Sequence, residues 1–149
     1  MRWANIHGTK PSAEVYAGVQ LSDPTSVITP NGDGSRDAAR TFAWAAKPGR
    51  ATITLARPDG SRVTTLYSGT VGPTPRSIPI AGRSVAVHDG TYSIVAKFTP
   101  TDNTRASSKS LPIVIDRTLG HLTVRKSKAA PKRLHIGFTL THAATVTAT

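Results

Sequence analysis

Residues 29–37 read TPNGDGSRD, and this stretch decides how the chain around it folds. No other part of the sequence holds turn-forming residues and oxygen-bearing side chains at such density. Asn-Gly and Asp-Gly pairs accept positive φ angles at low cost, so the backbone is expected to fold tightly on itself here. A short apolar run, Val19 to Ile28, precedes the stretch, and alternating apolar segments follow it. The pattern predicts a tight loop at the entrance to a region rich in β-strands.

Alternation of apolar and polar residues beyond the loop predicts antiparallel β-strands. In the clearest segment, Tyr92, Ile94 and the residues at the next alternate positions share one face. A second segment runs from Ala51 to Leu55, and a Pro-Asp-Gly turn signal follows it. Short strands separated by turns about every 8–12 residues are typical of an all-β antiparallel sandwich. The common interior of this sandwich is predicted to contain Phe42, Trp44, Ile53, Tyr92, Ile94 and Phe98.

Two motifs resemble those of a known family. The loop is similar to the opening motif of bacterial Ig-like repeats, Pro-Asn-Gly-Asp-Gly followed three residues later by Asp, and Asp89 to Tyr92 is similar to a later Asp-Gly-Thr-Tyr turn. The family is related to the Ig-like domain of the flagellar hook-capping protein and to C-terminal domains of secreted peptidases and surface proteins. The resemblance covers about residues 19–117. It implies an Ig-like or fibronectin III-like sandwich with a structural, adhesion or spacer role.

A second, shorter copy of the strand pattern follows the first. Ile136 to Thr139 resembles the segment around Trp44, and Ala144 to Ala148 resembles Ala51 to Leu55, with His121 to Val124 as the expected first strand. The sequence therefore predicts an N-terminal arm or end of a preceding element (residues 1–14), an Ig-like sandwich (15–117) and a truncated second repeat (118–149). The expected partners are neighbouring Ig-like repeats or a catalytic domain in the same parent chain.

Three oxygen-bearing side chains of the loop, Asn31, Asp33 and Asp37, are candidate calcium ligands. Oxygens at alternate positions of a glycine-containing loop wrap a hard cation, and calcium takes about six to eight oxygen ligands. Thr29 occupies the position where a first carboxylate is expected. The alternative is that these side chains only hold the turn through hydrogen bonds to backbone N–H groups.

The chain is strongly basic, with a net charge of +11. Its basic residues are scattered singly and few aromatics are present to stack on bases, so the pattern argues against nucleic acid as the partner. A basic nucleic-acid-associated protein remains as an alternative. Residues 125–133 hold five positive charges and no carboxylate. This run is either a docking site for an anionic cell-envelope polymer or a solvated loop.

No motif in the sequence marks an enzyme. Cysteine is absent, the five histidines are scattered, and no serine has a recognisable base and orienting acid. The chain is therefore predicted to be non-catalytic. It has no run of about 20 apolar residues that would span a membrane, and residues 1–20 lack the apolar core of a signal peptide. An extracellular or cell-surface location in a bacterium follows from the resemblance alone.

A carbohydrate- or polymer-binding accessory module of an extracellular hydrolase is the main alternative to a structural role. Such a module needs exposed aromatic rings, because planar side chains supply rigid, amphipathic contact area. Trp44 and Tyr92 are predicted to be buried, which favours the structural role.

Overall fold

Ten β-strands form most of the part of the chain described by the computed structural model, which is residues 18–22, 26–126, 134–141, 143–145 and 147. They are β1 (Gln20–Leu21), β2 (Val27–Ile28), β3 (Ala39–Trp44), β4 (Gly49–Ala56), β5 (Arg62–Val71), β6 (Arg76–Ile80), β7 (Gly90–Pro100), β8 (Ser107–Ile115), β9 (Leu119–Lys126) and β10 (Leu134–Leu140). No α-helix occurs in these residues, so the all-β prediction is confirmed. None of them forms a helix long and apolar enough to cross a membrane.

The strands of the first 115 residues belong to two sheets. A three-stranded sheet has the order β1-β3-β6, and a five-stranded sheet has the order β2-β8-β7-β4-β5. Neighbouring strands are antiparallel except for β2 and β8, which run parallel. Pro79 places β6 at a sheet edge, as its missing N–H predicts. A short 3-10 helix, Gly82–Val85, lies between β6 and β7.

Buried side chains from both sheets meet in one core. Every second residue of β4 and β7 points inward, and Ile53, Leu55 and Ile94 are fully buried. Ile78 and Ile80 contribute to the same core from β6. Burying one aliphatic side chain of this size stabilises the fold by about 1.5–3 kcal/mol. The two sheets therefore share an interior, an arrangement consistent with a β-sandwich.

The prediction for β3 was wrong about which face points inward. Phe42 is 42% exposed and Trp44 is half-buried. The inward face of the strand carries only small residues, namely Ala39, Thr41 and Ala43. The reason is Arg40, which shares the face of the two aromatics, because turning that face inward would take a guanidinium out of water. The other predicted interior residues are in the core, namely Ile53, Tyr92, Ile94 and Phe98.

A separate two-stranded sheet, β9 and β10, follows the last core strand. Both strands coincide with strands predicted for the second repeat. The third strand predicted there, Ala144 to Ala148, lies partly outside the described residues, and residues 144, 145 and 147 have no regular secondary structure. The arm at residues 1–14 also lies outside the described residues. The division of the chain at residue 118 stays a prediction.

The β9–β10 hairpin has one apolar face. At a bulge in β9, residues 121 and 122 together oppose Phe138, and His121 has a φ of 53°. Because the extra residue shifts the alternation, Leu119 comes to lie on the same face as Leu122. Seven large apolar side chains share this face and are 37–60% exposed: Leu119, Leu122, Val124, Leu134, Ile136, Phe138 and Leu140. The hairpin therefore exposes a continuous apolar face in the described part of the chain.

Candidate functional site

The loop between β2 and β3 is a tight, internally hydrogen-bonded turn. Gly32 and Gly34 have φ angles of 83° and 81°, a region that residues with a Cβ rarely adopt. The backbone N–H of Thr29 donates to the carbonyl of Arg36 at 2.9 Å and closes the loop. These conformations explain why the sequence places glycine twice between the predicted ligands.

The three predicted calcium ligands lie together and bind the backbone of their own loop. The carboxylate oxygens of Asp37 accept from the N–H groups of Gly32 at 2.8 Å and Gly34 at 2.7 Å. Asn31 Oδ1 accepts from the N–H of Asp33 at 3.0 Å. Asp33 Oδ1 accepts from the N–H of residue 35 at 2.8 Å. These contacts are those of the alternative interpretation, in which the side chains hold the turn.

Two of these side chains also reach the strand that begins 88 residues later. Asn31 Nδ2 donates to the carbonyl of Leu119 at 2.9 Å, and Asp33 Oδ2 accepts from the N–H of His121 at 2.8 Å. Gly120 lies between the two contacts, and a Cβ there would be 2.8 Å from Asn31 Nδ2. A side chain at residue 120 would therefore displace the Asn31 amide from its contact with β9.

Hydrogen bonding at this contact favours the charged form of Asp33. The N–H groups of Ser35 and, next, His121 hold the pKa of this carboxyl below its usual value of 3.8. The contact between loop and hairpin is therefore charge-assisted at neutral pH.

The fit of the loop to calcium is limited. Each oxygen of Asp33 and Asp37 already accepts a backbone hydrogen bond. Within the described residues, no three His, Cys, Asp or Glu side chains form a group that could hold a metal. Calcium takes about six to eight oxygens, so backbone carbonyls and water would have to supply most of them. The calcium site stays a prediction, and a rise in melting temperature on adding calcium would support it.

A second set of contacts fixes the linker between β8 and β9. The Nε of Arg117 donates to Asp89 Oδ1 at 2.8 Å, and its backbone N–H donates to Asp89 Oδ2 at 3.0 Å. The guanidinium also donates to the carbonyl of Val87. Both charged side chains are about three-quarters buried, with side-chain exposures of 28% and 24%. The partly buried carboxylate of Asp89 thus accepts from both the side chain and the backbone of Arg117, and it orients the backbone at residue 117.

The far end of the hairpin closes on the same linker. The N–H of Thr141 donates to the carbonyl of Thr118 at 3.1 Å, and its hydroxyl donates to the carbonyl of Arg117 at 2.6 Å. A hollow of about 340 Å³ lies under the loop and is lined in part by Asp37 and Arg117. The loop, the linker and the hairpin thus form one continuous junction, which we call the β2–β3/β9 junction.

Sequence reasoning found the loop but missed its partners. In the sequence, Asp89 is marked only by its place in a family motif. Nothing in the sequence indicates the contacts made by Arg117, Gly120 and His121, because those contacts join residues far apart in the chain. The described histidines, His88, His121 and His135, belong to no group of side chains that could hold a metal, and the backbone N–H of His121 donates to Asp33 at the junction. Of the basic run at 125–133, only Arg125 and Lys126 are described, and both are exposed.

The aromatic side chains are divided between core and surface. Tyr92 is buried as predicted, and its hydroxyl donates to the carbonyl of His88 at 2.7 Å. Trp44, predicted to be buried, is only half-buried.

No protein-family model matches the chain, and no curated protein matches it. The chain is an all-β protein with two sheets around a common core. The loop between its second and third strands is hydrogen-bonded to the hairpin that follows the core.

Proposed function

We propose that the protein is a non-catalytic Ig-like structural module, joined in series with similar modules in a bacterial secreted or cell-surface protein, where it acts as a spacer or adhesion repeat. The observation that carries this proposal is the β2–β3/β9 junction. Side chains of a loop at one end of the sandwich form hydrogen bonds with the backbone of the next strand pair. Such contacts set the angle between consecutive units of a chain.

Strand order supports the Ig-like assignment. Immunoglobulin constant-type sandwiches place their first, second, fourth and fifth strands in one sheet and their third, sixth and seventh in the other. If β1 and β2 are counted as one split first strand, the chain has this division except at its fourth strand: β3 and β6 lie in the sheet of β1, whereas β5 joins β4, β7 and β8 in the larger sheet. The Asn-Gly-Asp-Gly loop follows β2, and the Asp-Gly-Thr-Tyr turn leads into β7.

The hairpin supports an arrangement in series. The internal repeat equates β9 with β1 and β10 with β3, and both pairs are antiparallel neighbours. In the first unit, the inward face of β1 and β3 is covered by the five-stranded sheet. The apolar face of the hairpin is exposed instead, and its Ile136 and Phe138 are the residues that the repeat aligns with Phe42 and Trp44 on the outward face of β3. We infer that its natural cover is the second sheet of a second Ig-like unit, because a patch of this kind marks an interaction surface.

Labelling of cells tests the proposed location and role. An antibody raised against the purified chain is expected to label intact, unpermeabilised cells of the source organism, or to find the protein in the medium. A cytoplasmic protein labelled in parallel controls for lysis. Labelling that appears only after permeabilisation would contradict the surface role.

A further inference from the structure

Acidic residues are excluded from the strands. The six described acids all lie in turns or loops: Asp33, Asp37, Asp59, Asp89, Asp102 and Asp116. Each accepts at least one hydrogen bond from a nearby donor. Basic residues, in contrast, occur within seven of the ten described strands. The broad faces of the sheets therefore carry positive charge with no carboxylate to offset it.

The outer face of the five-stranded sheet carries two of these cations among hydroxyl groups. Arg50 on β4 and Lys97 on β7 are exposed and point to the same side, since Arg50 pairs with Thr99 and Lys97 pairs with Thr52. Diagonal neighbours of this kind are about 7–8 Å apart. The two cross-strand rows that contain these cations also carry hydroxyl side chains, namely Thr52, Ser68, Thr70, Thr99 and Ser108.

A shallow groove of about 650 Å³ runs over this face, between the two cations and the β7–β8 turn. The acid at its end is already paired, because Asp102 accepts from Lys47 Nζ at 2.8 Å. An incoming anion would therefore find Arg50 and Lys97 on the groove wall without a competing carboxylate beside them.

We propose that this outer face binds an anionic polysaccharide. Guanidinium and ammonium groups pair with its acidic groups through charge-assisted hydrogen bonds, and the surrounding hydroxyls bond to its sugar hydroxyls. Nucleic acid fits less well, because single-strand binding relies on aromatic stacking. The aromatic side chains on the described strands of this sheet contact the core instead, namely Tyr67, Tyr92 and Phe98. The proposal concerns the sheet face and does not depend on the junction or on the array.

A matched pair of double variants of the full chain tests the proposal. R50T/K97T removes one arginine and one lysine from the face. R40T/K126T removes the same charge from exposed strand positions elsewhere. Heparin, a sulfated polysaccharide, is the probe, and its dissociation constant is measured between about 50 and 200 mM salt. Melting curves establish that both variants are folded.

The expected result is binding that weakens with salt, with a loss of about tenfold or more for R50T/K97T and less than about threefold for R40T/K126T. Equal losses in the two variants would show that only net charge matters and would overturn the proposal. The absence of heparin binding at low salt would do the same. Tighter binding of a single-stranded DNA oligonucleotide, lost in R50T/K97T, would assign the face to nucleic acid instead.

Discussion

Asp33 has two structural tasks, and its two carboxylate oxygens divide them. Oδ1 closes the turn through the N–H of Ser35, and Oδ2 holds the N–H of His121 in β9. Asp59 performs only the first task, since its Oδ1 accepts from the N–H of Ser61 within the β4–β5 turn. The two aspartates therefore allow turn formation to be separated from attachment of the hairpin.

Removing the Asp33 carboxylate should loosen the hairpin. In D33A, the amide of His121 loses its acceptor, and its hydrogen exchange is expected to become faster by about tenfold or more, because protection tracks the free energy of local opening. D59A is the control and should leave exchange at His121 unchanged. Equal exchange rates in D33A and the wild type would show that the contact does not hold β9.

A pH titration checks the carboxylate at the β7–β8 turn. Lys47 first, and then Thr104, lower the pKa of Asp102 from 3.8 to about 2. A lowered pKa means that the charged form stabilises the folded state above pH 3.8, and that this contribution is lost as the pH falls through about 2. The carboxyl carbon of Asp102 should titrate near pH 2 by NMR, and K47M should move its midpoint upward. A midpoint near 3.8 in the wild type would contradict the ion pair.

At the scale of the elements, β3 shows what an alternating pattern can and cannot decide. The period of two correctly predicted a strand and placed Phe42 and Trp44 on one face. It did not show which face is inward. The prediction placed the large aromatic side chains in the core and the Ala and Thr side chains at the surface. The charge of Arg40 on the aromatic face was the signal that could have reversed the choice.

Substitutions on the two faces of β3 should have unequal effects. F42S removes a partly exposed ring and is expected to lower the free energy of unfolding by less than about 1 kcal/mol. A43L inserts three heavy atoms where exposure is zero, and overpacking of this kind costs about 1–3 kcal/mol. Urea denaturation of both variants gives the comparison. A larger loss in F42S than in A43L would restore the orientation predicted from the sequence.

The junction could not be predicted from sequence, although half of it was recognised. Local chemistry identifies the Asn31 to Asp37 loop, because glycine and Asx residues determine turns at short range. The partners of Asn31 and Asp33 on β9 are set by how the chain returns to this end of the sandwich. Backbone groups make those contacts, so no side-chain pattern in β9 marks them.

At the scale of the whole molecule, polar groups are divided between ends and faces. Carboxylates of the described residues fix turns and the junction at the ends, while cations and hydroxyls occupy the strands. The carboxylates at the ends are therefore placed to connect the proposed units. The cations on the outer face of the larger sheet are placed to bind the proposed anionic ligand. The exposed apolar face of the hairpin adds a third surface.

The most direct test of the account is whether sandwich and hairpin tumble as one body. Backbone ¹⁵N relaxation of the full chain measures this for amides of β4, β7 and β9 in the same sample. Because the loop and Arg117 clasp the start of β9, one rotational diffusion tensor is expected to fit all three strands, and D33A is expected to separate β9 from the others. A shorter correlation time for β9 in the wild type would contradict a fixed junction.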